Sequence, residues 1–469
     1  MGEIPPTEQR EERRADTATP AEKLYPVQPE FVREVLEALD DGDEAGVRAL
    51  IGPLHAADVA DLLELISERQ RKSLLAILRD DLDPAILSEL EEAVRDDIIE
   101  QLEPRDIAAA ITELDSDDAV YVLEDLEEHE RQAVLDKIPA QERAAVEVGL
   151  GYPEDSAGRL MQRDLIAVPP YWTVGQAIHH LREAEDLPTG FYEIVVVDPG
   201  LHPVGTIPLD RIMRAKPSVT IADIMNKEQT LIPVDMDQEE VSYLFKQYRL
   251  ISAAVVDGES RLVGMITVDD VVDVIDEEAE EDLMLLGGVQ EGDINEPAMV
   301  TTRTRLQWLL VNLATAILAS IVISFFDASI EKLVALAILM PIVASMGGNA
   351  GTQTLTVTVR ALATHELTAT NATRAVAKEV FVGGINGILL ALLIGVIAGL
   401  WFQDAALGLV LAAAMVINML VAGLAGILIP LGLERLDIDP AVASSVFVTT
   451  ITDVVGFLAF LGLAAVFLI

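Results

Sequence analysis

Cysteine is absent from the 469-residue chain, which excludes disulfides, thiolate metal sites and cysteine nucleophiles. Basic residues are scarce: 32 Lys and Arg stand against 78 Asp and Glu, a formal net charge of −46. Nucleic acid is excluded as a partner on this count, because binding a phosphate backbone needs an excess of Lys and Arg. The stretch from Met1 to about Pro29 is rich in Glu, Arg, Pro and Thr and has no apolar h-region. It reads as a flexible tail over residues 1–30 rather than a signal peptide. There is no P-loop. The histidines His55, His129, His179, His180, His202 and His365 are scattered, and adjacent His179 and His180 point to different helical faces. No enzyme is expected.

The acid excess is segregated. From Arg303 to the end there are 9 acidic and 7 basic residues, leaving 69 and 25 in residues 1–302. A region so charged repels itself and attracts small multivalent cations; acidic surfaces adapted to a salty cytoplasm would look alike. Over residues 31–150 apolar residues recur three and four apart, as in Val59, Leu62, Leu63, Leu65 and Ile66, then Ile107, Ala110, Ile111 and Leu114. That spacing predicts amphipathic helices. Similar Asp- and Ser-capped phrases recur without a strict period, which predicts an acidic N-terminal domain built as an α-superhelix.

Residues 151–276 carry two copies of one α/β unit. In both, Val-Val-Asp is followed seven residues after the Asp by Gly: Asp198 to Gly205, and Asp257 to Gly264. Asp and Gly between two β-rich runs predict a hairpin in each copy, followed by a helix. The pair resembles a tandem of CBS (cystathionine-β-synthase-type) domains. The resemblance implies an adenosine-ribose position at Thr267 and Asp270 in the second copy. In the first copy Pro208 stands where the Thr would be, with Asp210 in the acidic position. ATP or another adenine nucleotide is therefore implied at one copy. Next come nine acids in the fourteen residues from Asp269 to Asp282, interleaved with Val271, Val272, Val274 and Ile275. This predicts an acidic connecting helix over 277–302 rather than a disordered tail.

Residues 303–469 contain five stretches of bilayer-spanning length with almost no charge, about 306–326, 333–359, 380–403, 405–433 and 441–469, so a transmembrane domain of five helices is expected. Arg303, Arg305, Arg360, Arg374, Lys378 and Arg435 fall on one side and Lys332 on the other. The positive-inside rule then predicts cytoplasmic N-terminal domains and an outside C-terminus. Asp453 sits within the fifth span, and a carboxylate at that depth costs roughly 2.5–3.5 kcal/mol on insertion scales unless water, a cation or a partner meets it. Thr449, Thr450, Gly456 and Phe457 share its face. In the second span Ser345, Asn349, Thr352 and Thr356, with Gln353 adjacent, form a polar stripe, while Pro341, Gly347, Gly348 and Gly351 are expected to loosen the helix. Asn386 and Asn418 read as packing bonds between spans.

The phrases "GGNAGTQT" and "TTITDVVGF", and the order helical domain, CBS pair, acidic helix, five spans, resemble the MgtE family of Mg²⁺ channels. The resemblance implies a homodimer with its pore between two membrane halves, Asp453 at the selectivity position and Asp439 near the cytoplasmic mouth. It further implies that cytosolic Mg²⁺ bridges soluble acids and closes the pore. The candidates are Asp235, Asp237, Asp270, Asp273, Glu278, Glu281 and Asp282, with Asp117 and Asp118 from the helical domain. Gln247 and Arg249 replace an acid that the family can carry just after Phe245. Mg²⁺ suits such a site because it keeps several waters and takes few direct carboxylates. A proton- or Na⁺-coupled carrier of Mg²⁺, Co²⁺ or Mn²⁺ would also use Asp453. A non-conducting, membrane-anchored nucleotide sensor would not.

Overall fold

The structure is a computed structural model, and it describes residues 26–79, 82–184, 187–188, 191–289, 295–436 and 438–469. The chain divides into two compact units, Met1–Asp276 and Glu277–Ile469. Most of the expected tail, residues 1–25, lies outside the described residues, but helix α1 (Pro29–Asp40) already begins within it.

The soluble unit starts with short helices. After α1 come α2 (Glu44–Ile51), α3 (Ala56–Leu65), α4 (Glu68–Leu78), α5 (Glu92–Ile99), α6 (Pro104–Glu113), α7 (Ser116–Glu124), α8 (Glu128–Leu135) and α9 (Ala140–Gly149). Their starts are set by local chemistry. Asp43 accepts from the Gly46 amide, Ser67 and Gln70 cap α4 reciprocally, and Pro104 opens α6 where no amide is needed. Val59, Leu62, Leu63, Ile66, Ile107 and Ile111 are buried in one continuous core. Leu65, grouped with them by spacing, is 65% exposed. Arg71 is buried because Leu63 O, Ile66 O and Asp97 take its protons, the condition for burying a charge.

The α/β part follows: α10 (Ala157–Leu160), β1 (Ala167–Val168), α11 (Val174–Glu183), β2 (Glu193–Val197), β3 (Pro203–Pro208), α12 (Leu209–Arg214), α13 (Ile221–Ile224), β4 (Leu231–Pro233), α14 (Gln238–Tyr248), β5 (Ser252–Val256) and β6 (Leu262–Thr267). Each copy is a three-stranded sheet, β1-β2-β3 and β4-β5-β6, with the first pairing parallel and the second antiparallel. The ladders are equivalent, Ile194 opposite Ile207 and Ala253 opposite Ile266, and both bulge at the last valines before the turn. Asp198 and Asp257 close those turns by accepting two amides each, from Gly200 and His202 and from Glu259 and Arg261.

The repeated glycine has a physical reason. The segment leading into each copy pairs with the last strand of the other: Asn226 exchanges backbone hydrogen bonds with Thr206, and Gln162 with Met265. A Cβ on Gly205 would lie 2.5 Å from Asn226 O, and one on Gly264 would lie 2.8 Å from Gln162 O. Only glycine admits so close a backbone. The copies are thereby interlocked, with Val195, Val197, Ala254 and Met265 forming a core between the sheets.

Helix α15 (Val268–Leu286) leaves β6 directly, so the acidic helix begins nine residues before the position expected from composition. The membrane unit contains α16 (Ala298–Ser324), the short α17 (Asp327–Lys332), α18 (Ala335–Ala363), α19 (Ala372–Trp401), α20 (Ala405–Glu434) and α21 (Pro440–Phe467). Five of these are long and apolar enough to cross a membrane. Spans one and three begin earlier than expected, because α16 includes Arg303 and Arg305 and α19 includes Arg374, Lys378 and Glu379 in its first turns. Charge at a membrane surface does not end a helix.

Helix α18 corrects an expectation. It is continuous through Pro341 and the glycines, so the second span is not broken. Its glycines serve close approach instead. A Cβ on Gly347 would overlap the Asn418 amide, one on Gly351 would lie 2.5 Å from Val448 Cγ1, and one on Gly426 of α20 would lie 2.7 Å from Gly351 O. Small residues that let helices approach this closely are the packing currency of membrane bundles.

Candidate ion site and acidic interface

Asp453 lies about midway along the 28-residue helix α21 and is half-buried. Among the described residues, no side chain or amide donates to its carboxylate, and no basic side chain pairs with it. Its helical neighbours spend their protons inward. Thr449 donates to Ser445 O and Val446 O, and Thr450 to Val446 O. On α18 the same holds: Thr352 donates to Gly348 O and Thr356 to Thr352 O, each at 3.0 Å. A hydroxyl that gives its single proton to its own helix keeps only lone pairs for whatever lies outside.

Burial divides α18 into two faces. Gly347, Gly351, Leu355, Thr358 and Val359 are buried against the bundle, while Ser345, Asn349, Thr352, Gln353, Thr356 and Arg360 are exposed. The exposed set recurs at three, four and seven residues, one face at 3.6 residues per turn. A polar face on a membrane helix, open in the single chain, faces water or another subunit rather than hydrocarbon. The expected stripe therefore exists as a surface. Asp439 is exposed at the start of α21 and caps it through the Ala441 amide.

The acidic end of α15 belongs to the same unit. Leu285 is buried among Leu355, Val359, Ala425, Ala441 and Val448, with Leu286 against them. Burial and the nearby Asp439 raise the Asp282 carboxyl above the ordinary range. Glu278 has intermediate exposure and Glu281 is exposed.

In the soluble unit the first turns of α15 meet α7. Asp117 is only 8% exposed, with Oδ1 lacking a partner among the described residues. Burial, then Asp270 and Asp118, raise its pKa far above the usual carboxylate value. Asp118 is raised to about 6 by burial, with Asp115, Glu89 and Asp273 adding repulsion. Asp270 is also raised to about 6, chiefly by burial. Glu89, Asp115 and Asp273 are raised for the same reasons. Cations are few at this interface; Arg159 reaches Glu124 at 2.8 Å, and burial still lifts Glu124 to about 7.

Thr267 and Asp270 have a further role. The Thr267 hydroxyl donates to Asp270 Oδ2 at 2.6 Å and its amide at 3.3 Å, which caps α15 at its start. Asp237 likewise caps α14 through the Glu239 amide, beside Asp155, while Asp235 is exposed. The seven acids from Asp235 to Asp282 are thus not one group. Among the described residues, no three His, Asp or Glu side chains stand close enough to hold a metal directly. Asn418 is fully buried and donates to Val343 O at 2.8 Å, as a packing bond should. Asn386 does not: it is exposed and bonds no other span among the described residues. Sequence reasoning passed over Glu379, whose carboxylate accepts from Thr354 Oγ1 at 3.3 Å. It stands just outside the uncharged stretch, so no hydropathy signal marked it.

Five helices long and apolar enough to span, behind a region that carries a paired α/β unit, define a multi-pass membrane protein, and an unpartnered acid within the last of them suits a transport protein. Residues 340–463 match the "Divalent cation transporter" MgtE model, 54–155 the "MgtE intracellular N domain", and 157–218 and 221–277 the CBS domain. The magnesium transporter MgtE of Thermus thermophilus is 35% identical over 92% of this chain and 97% of its own length. That of Bacillus subtilis is 29% identical over 94% and 98%, and that of Enterococcus faecalis 34% over 68% and 70%. A crystal structure of the cytosolic domain of the Mg²⁺ channel MgtE in complex with ATP covers 52% of this chain and 99% of its own, at 32% identity and a TM-score of 0.48. This chain belongs to the MgtE family of magnesium transporters, and it is accordingly a transport protein and not an enzyme.

Proposed function

We propose that this chain is a Mg²⁺-selective channel of the inner (plasma) membrane that works as a homodimer and is closed by cytosolic Mg²⁺. The observation that carries the reading is the acceptor-only character of four intramembrane threonines and of Asp453 itself. Thr352, Thr356, Thr449 and Thr450 turn lone pairs outward, and no donor meets Asp453. A hydrated cation presents the opposite pattern, a shell of water protons, and Mg²⁺ sheds its waters reluctantly. An anion or a neutral solute that needs donors would find none from these groups. The open polar face of α18 supports a pathway shared with a second copy, so that two Asp453 carboxylates contribute. Basic residues around the spans support a cytoplasmic soluble unit and an outside C-terminus.

The acids of α7 and α15 supply the sensor. Asp117, Asp118, Asp270 and Asp273 repel one another when ionised, and with too few ligands for direct chelation they suit a cation that keeps its water. The hydrated ion holds α15 in place, and Leu285 and Leu286 at its far end transmit this to the bundle. Glu278, Glu281 and Asp282 continue the same acidic helix towards Asp439, and Asp235 and Asp237 offer a peripheral pair. An adenine nucleotide binds the second CBS copy at Thr267 and Asp270.

The test is Mg²⁺ flux into liposomes with no gradient other than Mg²⁺. Wild type conducts, whereas Asp453→Asn and Asp453→Ala fall to background. A wild type that moves Mg²⁺ only when a proton or Na⁺ gradient is added is a coupled carrier. Unaltered flux in both variants would sink the pore role of Asp453.

A further inference from the structure

We infer that Asn418 is a positioning residue for the ion site: its buried side chain sets the spacing between the second and fifth spans where they carry Asn349 and Asp453. This rests on the transport reading above and deepens it. Asn418 has no exposed surface, and its Nδ2 donates to Val343 O of α18 at 2.8 Å. The same amide lies against glycines on two helices. A Cβ on Gly347 of α18 would overlap it, and one on Gly456 of α21 would lie 2.8 Å from Nδ2. A single side chain of α20 therefore wedges between two other spans.

Its level in the membrane is that of the ion site. Gly347 precedes Asn349 by two residues and Gly456 follows Asp453 by three, about 3 and 4.5 Å along their axes. Asn349 points away from Gly347, so the wedge stands behind the polar face and not on it. Asn418 Oδ1 has no hydrogen-bond partner among the described residues despite complete burial. An orphaned buried acceptor is destabilising, and an apolar side chain of the same shape would remove the penalty. Stability alone thus favours leucine here. What leucine cannot do is hold α18 this close: N–H···O contact keeps 2.8 Å, whereas carbon against a carbonyl oxygen needs about 3.3–3.6 Å. The exchange opens the crossing by roughly 0.5 Å. A filter that admits hydrated Mg²⁺ by size and rejects larger hydrated or partly dehydrated ions is sensitive to that change.

The test uses the full chain in liposomes and reads the ratio of Mg²⁺ to Ca²⁺ flux, which loss of folded protein does not move. Asn418→Leu is expected to stay folded while the ratio falls roughly threefold to tenfold, the equilibrium weight of one interhelical hydrogen bond in lipid. Gly347→Ala, which presses on the same amide, is expected to shift the ratio the same way. Asn386→Ala, on an exposed face of α19, should leave it unchanged. Because the chain lacks cysteine, nitroxide labels at Val357→Cys and Leu458→Cys also report the spacing of spans two and five without any transport. Their distance distribution should shift or broaden with Asn418→Leu. A wild type without Mg²⁺ flux would remove the transport reading but leave the spacing experiment to decide the role of Asn418. An unchanged label distribution, or an unchanged flux ratio in both Asn418→Leu and Gly347→Ala, would overturn the inference.

Discussion

Take Asp118→Asn at the interface of α7 and α15. The Asp118 carboxyl is raised from 3.8 to about 6, mostly by burial. A carboxyl whose pKa is raised in the folded state holds its proton there after the opened state has released it. Packing of α7 against α15 therefore weakens as pH rises from about 4 to about 6, and the full penalty is present above that window. At 1.36 kcal/mol per pH unit, ionised Asp118 costs about 3 kcal/mol at neutral pH, roughly a hundredfold in the local opening equilibrium. Asp270 and Asp117 move in the same direction, but ionised Asp270 repels Asp117, so their costs do not add.

Hydrogen exchange of the full chain in detergent, corrected for the intrinsic rate at each pH, measures this opening amide by amide. Without divalent ion, protection of the α7 amides should fall by about one decade between pH 5 and pH 7.5, a similar loss having already occurred below pH 5. Mg²⁺ should restore it at pH 7.5 and do little at pH 5, where protons already neutralise the acids. Saturation at a hundred times the dissociation constant supplies about 2.7 kcal/mol, enough to offset Asp118. Asp118→Asn should keep its protection at pH 7.5 without Mg²⁺ and lose much of the response to the ion. Protection in the wild type that ignores pH, or a Mg²⁺ response as large at pH 5 as at pH 7.5, would refute the reasoning.

Other outcomes follow from the same structure. Gly205→Ala and Gly264→Ala each push a Cβ into backbone of the other copy's leading segment, so each should destabilise the soluble unit by about 1–3 kcal/mol in urea unfolding; a neutral alanine at both would dismiss the interlocked pairing. An adenine nucleotide should bind once per chain by calorimetry, weakened by Thr267→Val and indifferent to Asp210→Ala, because Pro208 removes a hydroxyl from the first copy; two sites per chain would contradict this.

Much of the architecture was legible because it is written in short-range patterns. The Val-Val-Asp spacing located both hairpins. Charge-free stretches located five spans. Three features were not legible, each for a reason of geometry. Asp117 and Asp270 are far apart in sequence, so their meeting at α7 and α15 has no local signal. The glycines of α18 read equally as breaks or as contact points, and only the positions of Asn418 and Val448 decide for contact. Asn386 and Asn418 are both lone amides in apolar helices, yet only the second is buried, because burial depends on which face α19 and α20 turn inward.

Two carboxylates of the membrane unit show how neighbourhood, not residue type, separates a packing role from the proposed ion site. Glu379 of α19 is 17% exposed at its side chain, accepts a hydrogen bond from Thr354 Oγ1 and lies 3.9 Å from Lys378 Nζ. Thr354 sits on the side of α18 opposite Asn349 and Thr356. A Cβ on Gly423 would lie 3.1 Å from Glu379 O, so this turn of α19 is held tightly against α20. Every one of those contacts serves packing. Glu379→Gln keeps the acceptor for Thr354 and should retain Mg²⁺ flux, whereas Glu379→Ala strands a polar group and should cost about 1–3 kcal/mol in stability. Asp453 has no such donor, and neither its amide nor its alanine variant should conduct. If Glu379→Gln abolished flux in a fully folded protein, the ion path would run behind α18 rather than before it. The assignment of the Asn349 face as the conducting one would then be wrong.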